Sequence, residues 1–156
     1  MRHRKRRGQL KVSPSHHLAM RRNMVIALVE HGRIQTTLPK AKAFRSFAEK
    51  VITAAVKGLK AKELGTAEGK AAYLHAVRRV AAMIPHKPTV KKLFDEVAPA
   101  VGDRPGGYTR ILRYDKARLG DKAQLALFEL VDREAMGVDA SDQTGAGELT
   151  GAGAES

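Results

Sequence analysis

The chain has 156 residues, a length that suits one domain, and its 43% hydrophobic residues suffice for a core. That core must be aliphatic, because aromatics make up 4% and tryptophan is absent, and the lack of cysteine excludes disulfides, thiolate catalysis and cysteine-ligated zinc while fitting a reducing compartment. The net charge of +13 is graded: Lys and Arg number thirteen against two acids over residues 1–50, nine against four over 51–100, and seven against ten over 101–156. A gradient of this kind points to a polyanion at the N-terminal end.

Residues 1–12 read as a basic arm. Arg2, Arg4, Lys5, Arg6, Arg7 and Lys11 fall in it with His3, and the first acid of the chain is Glu30. No core can bury such a run, since a buried charge needs a partner. In water it repels itself and stays extended. Ordering its backbone costs roughly 1–2 kcal/mol per residue, so the arm takes one conformation only against something strongly negative. An Arg-rich, acid-poor start also describes a mitochondrial transit peptide, but residues 14–31 read as part of the folded domain. The longest clean apolar run, Met24 to Val29, is too short to span a bilayer.

Ser13 and Pro14 suit the cap and first position of a helix whose inner face carries Leu18, Val25 and Val29, with Ile26 and Leu28 on its flanks. Arg21 and Arg22 fall near that face, toward the arm, and Gly32 stands where the helix should stop. Residues 33–36 form a short strand candidate. Thr37 and Pro39 open a second helix with Phe44, Phe47, Ala48, Val51 and Ala55 at helical spacing, closed by Gly58. A polar connector over 58–69 leads to a third helix (Tyr73, Val77, Val80, Ile84) stopped by Pro85. A fourth, between Pro88 and Pro99, is marked by Val90, Leu93, Phe94 and Val97. After a loop rich in Gly and Pro, residues 108–114 and 124–131 read as strands, the second so apolar that it belongs inside the sheet. From Glu134 the composition turns to Gly, Ala, Ser, Thr and acids, which predicts a disordered acidic tail over 134–156. The pattern therefore gives an α/β (α+β) chain of the order helix, strand, three helices, two strands. A single two-layer domain over 13–133 is the economical arrangement.

Three basic sites stand out. The arm is the first, with nucleic acid as its partner. The second is Thr36, Thr37, Lys40, Lys42 and Arg45, where cations crowd a helix start; this placement makes sense if an anion sits there, drawn by dipole and side chains together. The third is the run from Gly106 to Ile111, with Arg104 and Arg113 near it, where two glycines would let a backbone approach a phosphate. It reads equally as a turn entering a strand. Arg110 and Arg113 differ by three and so point to opposite faces of a strand. The six histidines show no zinc spacing, His16 is placed to meet RNA beside the arm, and no catalytic triad, phosphate loop or paired carboxylate appears. Charge alone leaves two rivals to a structural RNA binder: a DNA-binding protein, which should show a dimer or a recognition helix, and an RNA-acting enzyme.

The stretches MRHRK (1–5), SHHLAMRRNM (15–24), TTLPKAK (36–42) with Arg45, GGYTRI (106–111) and ELVDR (129–133) resemble, in order, those of the bacterial large-subunit ribosomal protein seventeen family. The resemblance covers residues 1 to about 133. It implies a two-layer α/β domain with a small mixed sheet, no catalytic activity and no cofactor. It implies binding to large-subunit rRNA in the cytoplasm, with neighbouring ribosomal proteins near the exit of the peptide tunnel, no membrane and no small-molecule substrate. The motif residues it carries over as RNA contacts are Arg2, His3, Arg4, Lys5, His16, Arg22, Asn23, Thr36, Thr37, Lys40, Lys42, Arg45, Tyr108, Thr109 and Arg110. Arg6, Arg7, Lys11 and Arg21 join them on charge and position. Where the family commonly has Arg after the motif histidine, this chain has His17.

Overall fold

The computed structural model describes residues 10–131. The arm residues Arg2, His3, Arg4, Lys5, Arg6 and Arg7, and the acidic tail, lie outside them. Helix α1 spans Pro14–His31. Its start follows the sequence signals: the Ser13 hydroxyl accepts from the His16 N–H, and Pro14 occupies the first turn, where its missing N–H costs nothing. Gly32 ends it in the left-handed region at φ 70°, with its N–H donating to the Leu28 carbonyl at 2.9 Å. Strand β1 follows at Arg33–Thr37, and α2 runs from Leu38 to Glu63.

The glycine at 58 does not close α2. The helix continues for five more residues because Gly58 is buried in the crossing with α3 (Ala67–Met83), where an added Cβ would stand 2.5 Å from the Ala76 Cβ. Its lack of a side chain sets how closely two helices approach; it is a packing device. A fourth helical segment starts with α4 (Lys87–Lys92), widens into a π turn over Leu93–Val97 and ends as α5 (Ala98–Ala100). Its four marker residues are buried: Val90 at 8%, Leu93 at 0%, Phe94 at 4% and Val97 at 1% exposure. Phe94 meets Tyr73 of α3 edge to face, ring centroids 5.5 Å apart.

Strands β2 (Thr109–Ala117) and β3 (Gln124–Leu130) complete a three-stranded sheet of order β1-β3-β2. The apolar third strand is central, as its composition required. Both pairings are antiparallel, so the mixed sheet expected from the resemblance is corrected. The reason is topological: β2 returns to β3 through a short turn, and β1 enters from the opposite edge. Alternation divides the sheet by face. Ala126, Phe128 and Leu130 point into the core against the helices, whereas Leu112 is exposed and Leu125 and Leu127 are half-buried on the open face. The core is aliphatic apart from a few rings, with Val25, Leu28, Phe44, Val51, Ile52, Val80, Ile84 and Phe128 fully buried.

Candidate nucleic-acid interface

The start of α1, the end of β1 and the first turns of α2 meet at one end of the domain. His17 of α1 packs against Phe44 of α2 with ring centroids 5.1 Å apart, and the Arg21 guanidinium lies 4.6 Å above the Phe47 ring. The chain leaves the arm at Leu10 and Lys11, both with positive φ, and turns directly into this corner. Helix one packs on helix two, so the second basic site lies beside the start of α1, into which Lys11 leads. Lys11, Lys42 and Arg45 are exposed and Lys40 is half-exposed, and none of the four has an acidic partner among the described residues. Cations left unpaired on one corner hold a positive field that an acid nearby would cancel.

The start of α2 adds to this. Thr37 caps it without a side-chain hydrogen bond, Pro39 follows, and the first turn holds no acid. Its amides are thus open to an incoming acceptor, with the positive end of the helix dipole behind them. A shallow depression there brings Thr37 and Lys40 beside Arg118, Asp121 and Gln124 from the β2–β3 turn. Arg118 is a neighbour that sequence reading missed, since nothing local links residue 118 to residue 40. Asp121 answers Arg118 directly: Arg118 Nε donates to it at 3.0 Å and a second nitrogen pairs with the other carboxylate oxygen. That hydrogen bond holds the Asp121 carboxyl at about 2, well below the usual range.

Four other motif residues, Arg22, Tyr108, Thr109 and Arg110, have internal partners. Arg22 Nε donates to the Met83 carbonyl at 3.2 Å and Nη2 to the Ala82 carbonyl at 3.5 Å, capping the end of α3 with a cation at its negative pole. Tyr108 and Thr109 are both 2% exposed. Glu49 of α2 accepts from the Tyr108 N–H at 3.2 Å, from the Thr109 N–H at 2.9 Å and from the Thr109 hydroxyl at 2.6 Å. This carboxylate clamps the beginning of β2 to the helix layer. Gly106 and Gly107 stand in open space, and Gly107 supplies the positive φ of 70° that the entry turn needs. Arg110 is bound across the sheet to buried Glu129, with Nε at 2.7 Å and Nη2 at 2.5 Å from one oxygen. Arg113 faces Ala126 in register while Arg110 faces Glu129, so the two arginines take opposite faces as their spacing required.

His16 and Asn23 of α1 and Thr36 of β1 line one groove, its floor made by Met20, Met24, Ala27 and Ile34. Among the described residues no three side chains gather that could hold a metal ion, and no helix is long and apolar enough to cross a membrane.

A family model described as Ribosomal protein L17 matches residues 20–131, most of the chain and nearly all of the described fold. The chain belongs to the ribosomal protein L17 family. Curated relatives agree. It is 46% identical over 135 residues to "Large ribosomal subunit protein bL17" of Trichlorobacter lovleyi, covering 86% of this chain and 97% of that one. It is 44% identical over 132 residues to the protein of that name in Thermus thermophilus, covering 85% and 100%. With the one from Halothermothrix orenii it shares 48% over 118 residues, 76% of this chain and 90% of that one. The L17 match takes in β1, the first turns of α2, the Glu49 clamp and the Arg110–Glu129 pair, and begins within α1 at residue 20.

Proposed function

We infer that this protein is a non-enzymatic, structural constituent of the large ribosomal subunit, working in the cytoplasm. The observation that carries this is membership of the L17 family at 44–48% identity to proteins named for that subunit. Physical chemistry supports the finer reading that it binds large-subunit rRNA through the arm and the corner behind it. Arg2, His3, Arg4, Lys5, Arg6 and Arg7 would neutralise phosphates, with Lys11, His16, Lys40, Lys42 and Arg45 extending the contact onto the open end of α2. Arg21, Arg22, Tyr108, Thr109 and Arg110 serve first to hold that surface in shape, since each is engaged within the chain. With few aromatics to stack on bases, the surface reads backbone shape more than sequence. Its place is near the exit of the peptide tunnel, beside other proteins of the subunit.

The deciding experiment is a sucrose gradient of cell lysate, washed at high salt and probed for this chain. Co-migration with the large subunit after the wash is expected. Release into the light fractions would sink the reading and turn attention to DNA binding and to RNA-directed activity. With six to eight phosphate contacts, affinity of the free protein for rRNA should fall by about 10³–10⁵ between about 50 and 200 mM salt.

A further inference from the structure

The groove between α1 and β1 differs in chemistry from the basic corner at its end. It encloses about 760 Å³, and its lining includes no Lys or Arg, on a chain that has 29 of them. Its floor is Met20, Met24, Ala27 and Ile34. A surface meant for phosphates would carry cations, and this one is made for apolar side chains. Methionine is suited to that, because its unbranched, polarizable chain adapts to a partner's shape.

The wall of the groove is a sheet edge. Among the described residues β1 pairs with β3 alone, and no strand lies along its other side. The hydrogen-bond phase identifies which groups are left over. The Leu130 N–H donates to the Gly32 carbonyl at 2.9 Å, which makes Gly32 and Leu130 a bonded pair. Antiparallel pairs alternate, so Ile34 and Thr36 bond to Phe128 and Ala126, their partners in register. The N–H and carbonyl of Gln35, and the N–H of Thr37, therefore face outward. No other main-chain hydrogen bond uses them among the described residues. β1 carries no Pro or Lys, two of the devices that blunt an exposed edge.

We propose that β1 and the α1 groove form a strand-addition site, which receives an extended segment of a neighbouring large-subunit protein as a fourth strand. The incoming main chain bonds to Gln35 and Thr37. Its alternate side chains, apolar, enter the groove over Met20, Met24 and Ala27, and the intervening ones face the open side of the sheet. A second copy of this chain is the weaker occupant, because each copy brings the same +13 charge. This proposal rests on the ribosomal assignment above and names the surface used there for protein contact.

The test places the photo-reactive residue benzoylphenylalanine at Ala19, an exposed position on the lip of the groove, in the full-length protein expressed in cells. Large subunits are purified through a high-salt gradient, irradiated and mapped by mass spectrometry. The expected product is a cross-link to one peptide of another subunit protein, with apolar residues alternating through the cross-linked segment. A second variant adds Gln35→Pro, which deletes the outward N–H and leaves the β1–β3 ladder intact. It should lower the cross-link yield at least tenfold while the protein still co-sediments with the subunit. A cross-link to rRNA, to a second copy or to nothing overturns the proposal, as does a yield unchanged by the proline. Absence of the protein from the large-subunit fraction overturns the ribosomal assignment itself, so the two failures are distinct.

Discussion

Replacing Glu49 with Ala tests whether the GGYT segment is held by the helix layer. In the native fold one carboxylate receives three donors, the Tyr108 N–H at 3.2 Å, the Thr109 N–H at 2.9 Å and the Thr109 hydroxyl at 2.6 Å. Tyr108 and Thr109 are 2% exposed, so the donors cannot all turn to water once the acceptor is gone. A hydrogen bond to a charged group contributes about 1.5–3 kcal/mol, and a stranded buried donor costs about 1–3 kcal/mol. The three bonds share one acceptor and do not add, and the cavity left by the side chain admits water to part of the site. A loss of about 2–4 kcal/mol is therefore expected, a large share of the roughly 5–15 kcal/mol that holds a domain together. Urea denaturation of the free protein followed by circular dichroism measures it as a lower midpoint at unchanged slope. Glu49→Gln keeps one oxygen and should lose about half as much. A loss below about 0.5 kcal/mol for the alanine variant would refute the clamp, since surface substitutions already reach that value.

Phe94→Ala should cost about 3–5 kcal/mol in the same assay, because the ring is 4% exposed and packed on Tyr73; a change under about 1 kcal/mol would contradict that burial. Changing Lys40, Lys42 and Arg45 together to Ala should leave the unfolding midpoint nearly unchanged and reduce the salt slope of rRNA binding by about 2–3, and an unaltered slope would take the start of α2 out of the interface. Asp121, held at about 2 by Arg118, should titrate in a carboxyl NMR experiment near that value in the native protein. Because its native value is depressed, the pairing is fully present above the ordinary carboxylate range and is lost as pH falls toward 2. A midpoint near the ordinary aspartate value of 3.8 would mean that the turn does not hold the pair in solution.

Local signals carried most of the architecture. Ser13, Pro14 and Gly32 bound the first helix because capping and backbone freedom are properties of single residues, and the apolar spacing of Val90, Leu93, Phe94 and Val97 identified a buried helix face in advance. What the sequence concealed was long-range. Gly58 has the same letter whether it stops a helix or lets another one approach, and only the position of Ala76 decides. Arg22 looks like one more cation of a basic region, yet its partners lie 61 and 60 residues away. Glu49 is one of two acids among the first fifty residues, and nothing near it in the chain announces a bond to Thr109. Charge counts overstated how many cations are available, because counting ignores the ones spent on carbonyls, rings and buried acids.

The strand order has a consequence for how this chain comes into being. β1 and β2 do not pair with each other, and each is joined to the sheet only through β3, the last of the described elements to be made. Until residues 124–130 exist there is no sheet, and Phe128 and Leu130 are missing from the interior that α1 and α2 would close around. The basic run over residues 2–11, in contrast, precedes every described helix and strand in the chain. The sheet therefore waits on pairings between residues nearly a hundred positions apart, Arg33 with Glu129 the widest of them, and such long-range contacts form late.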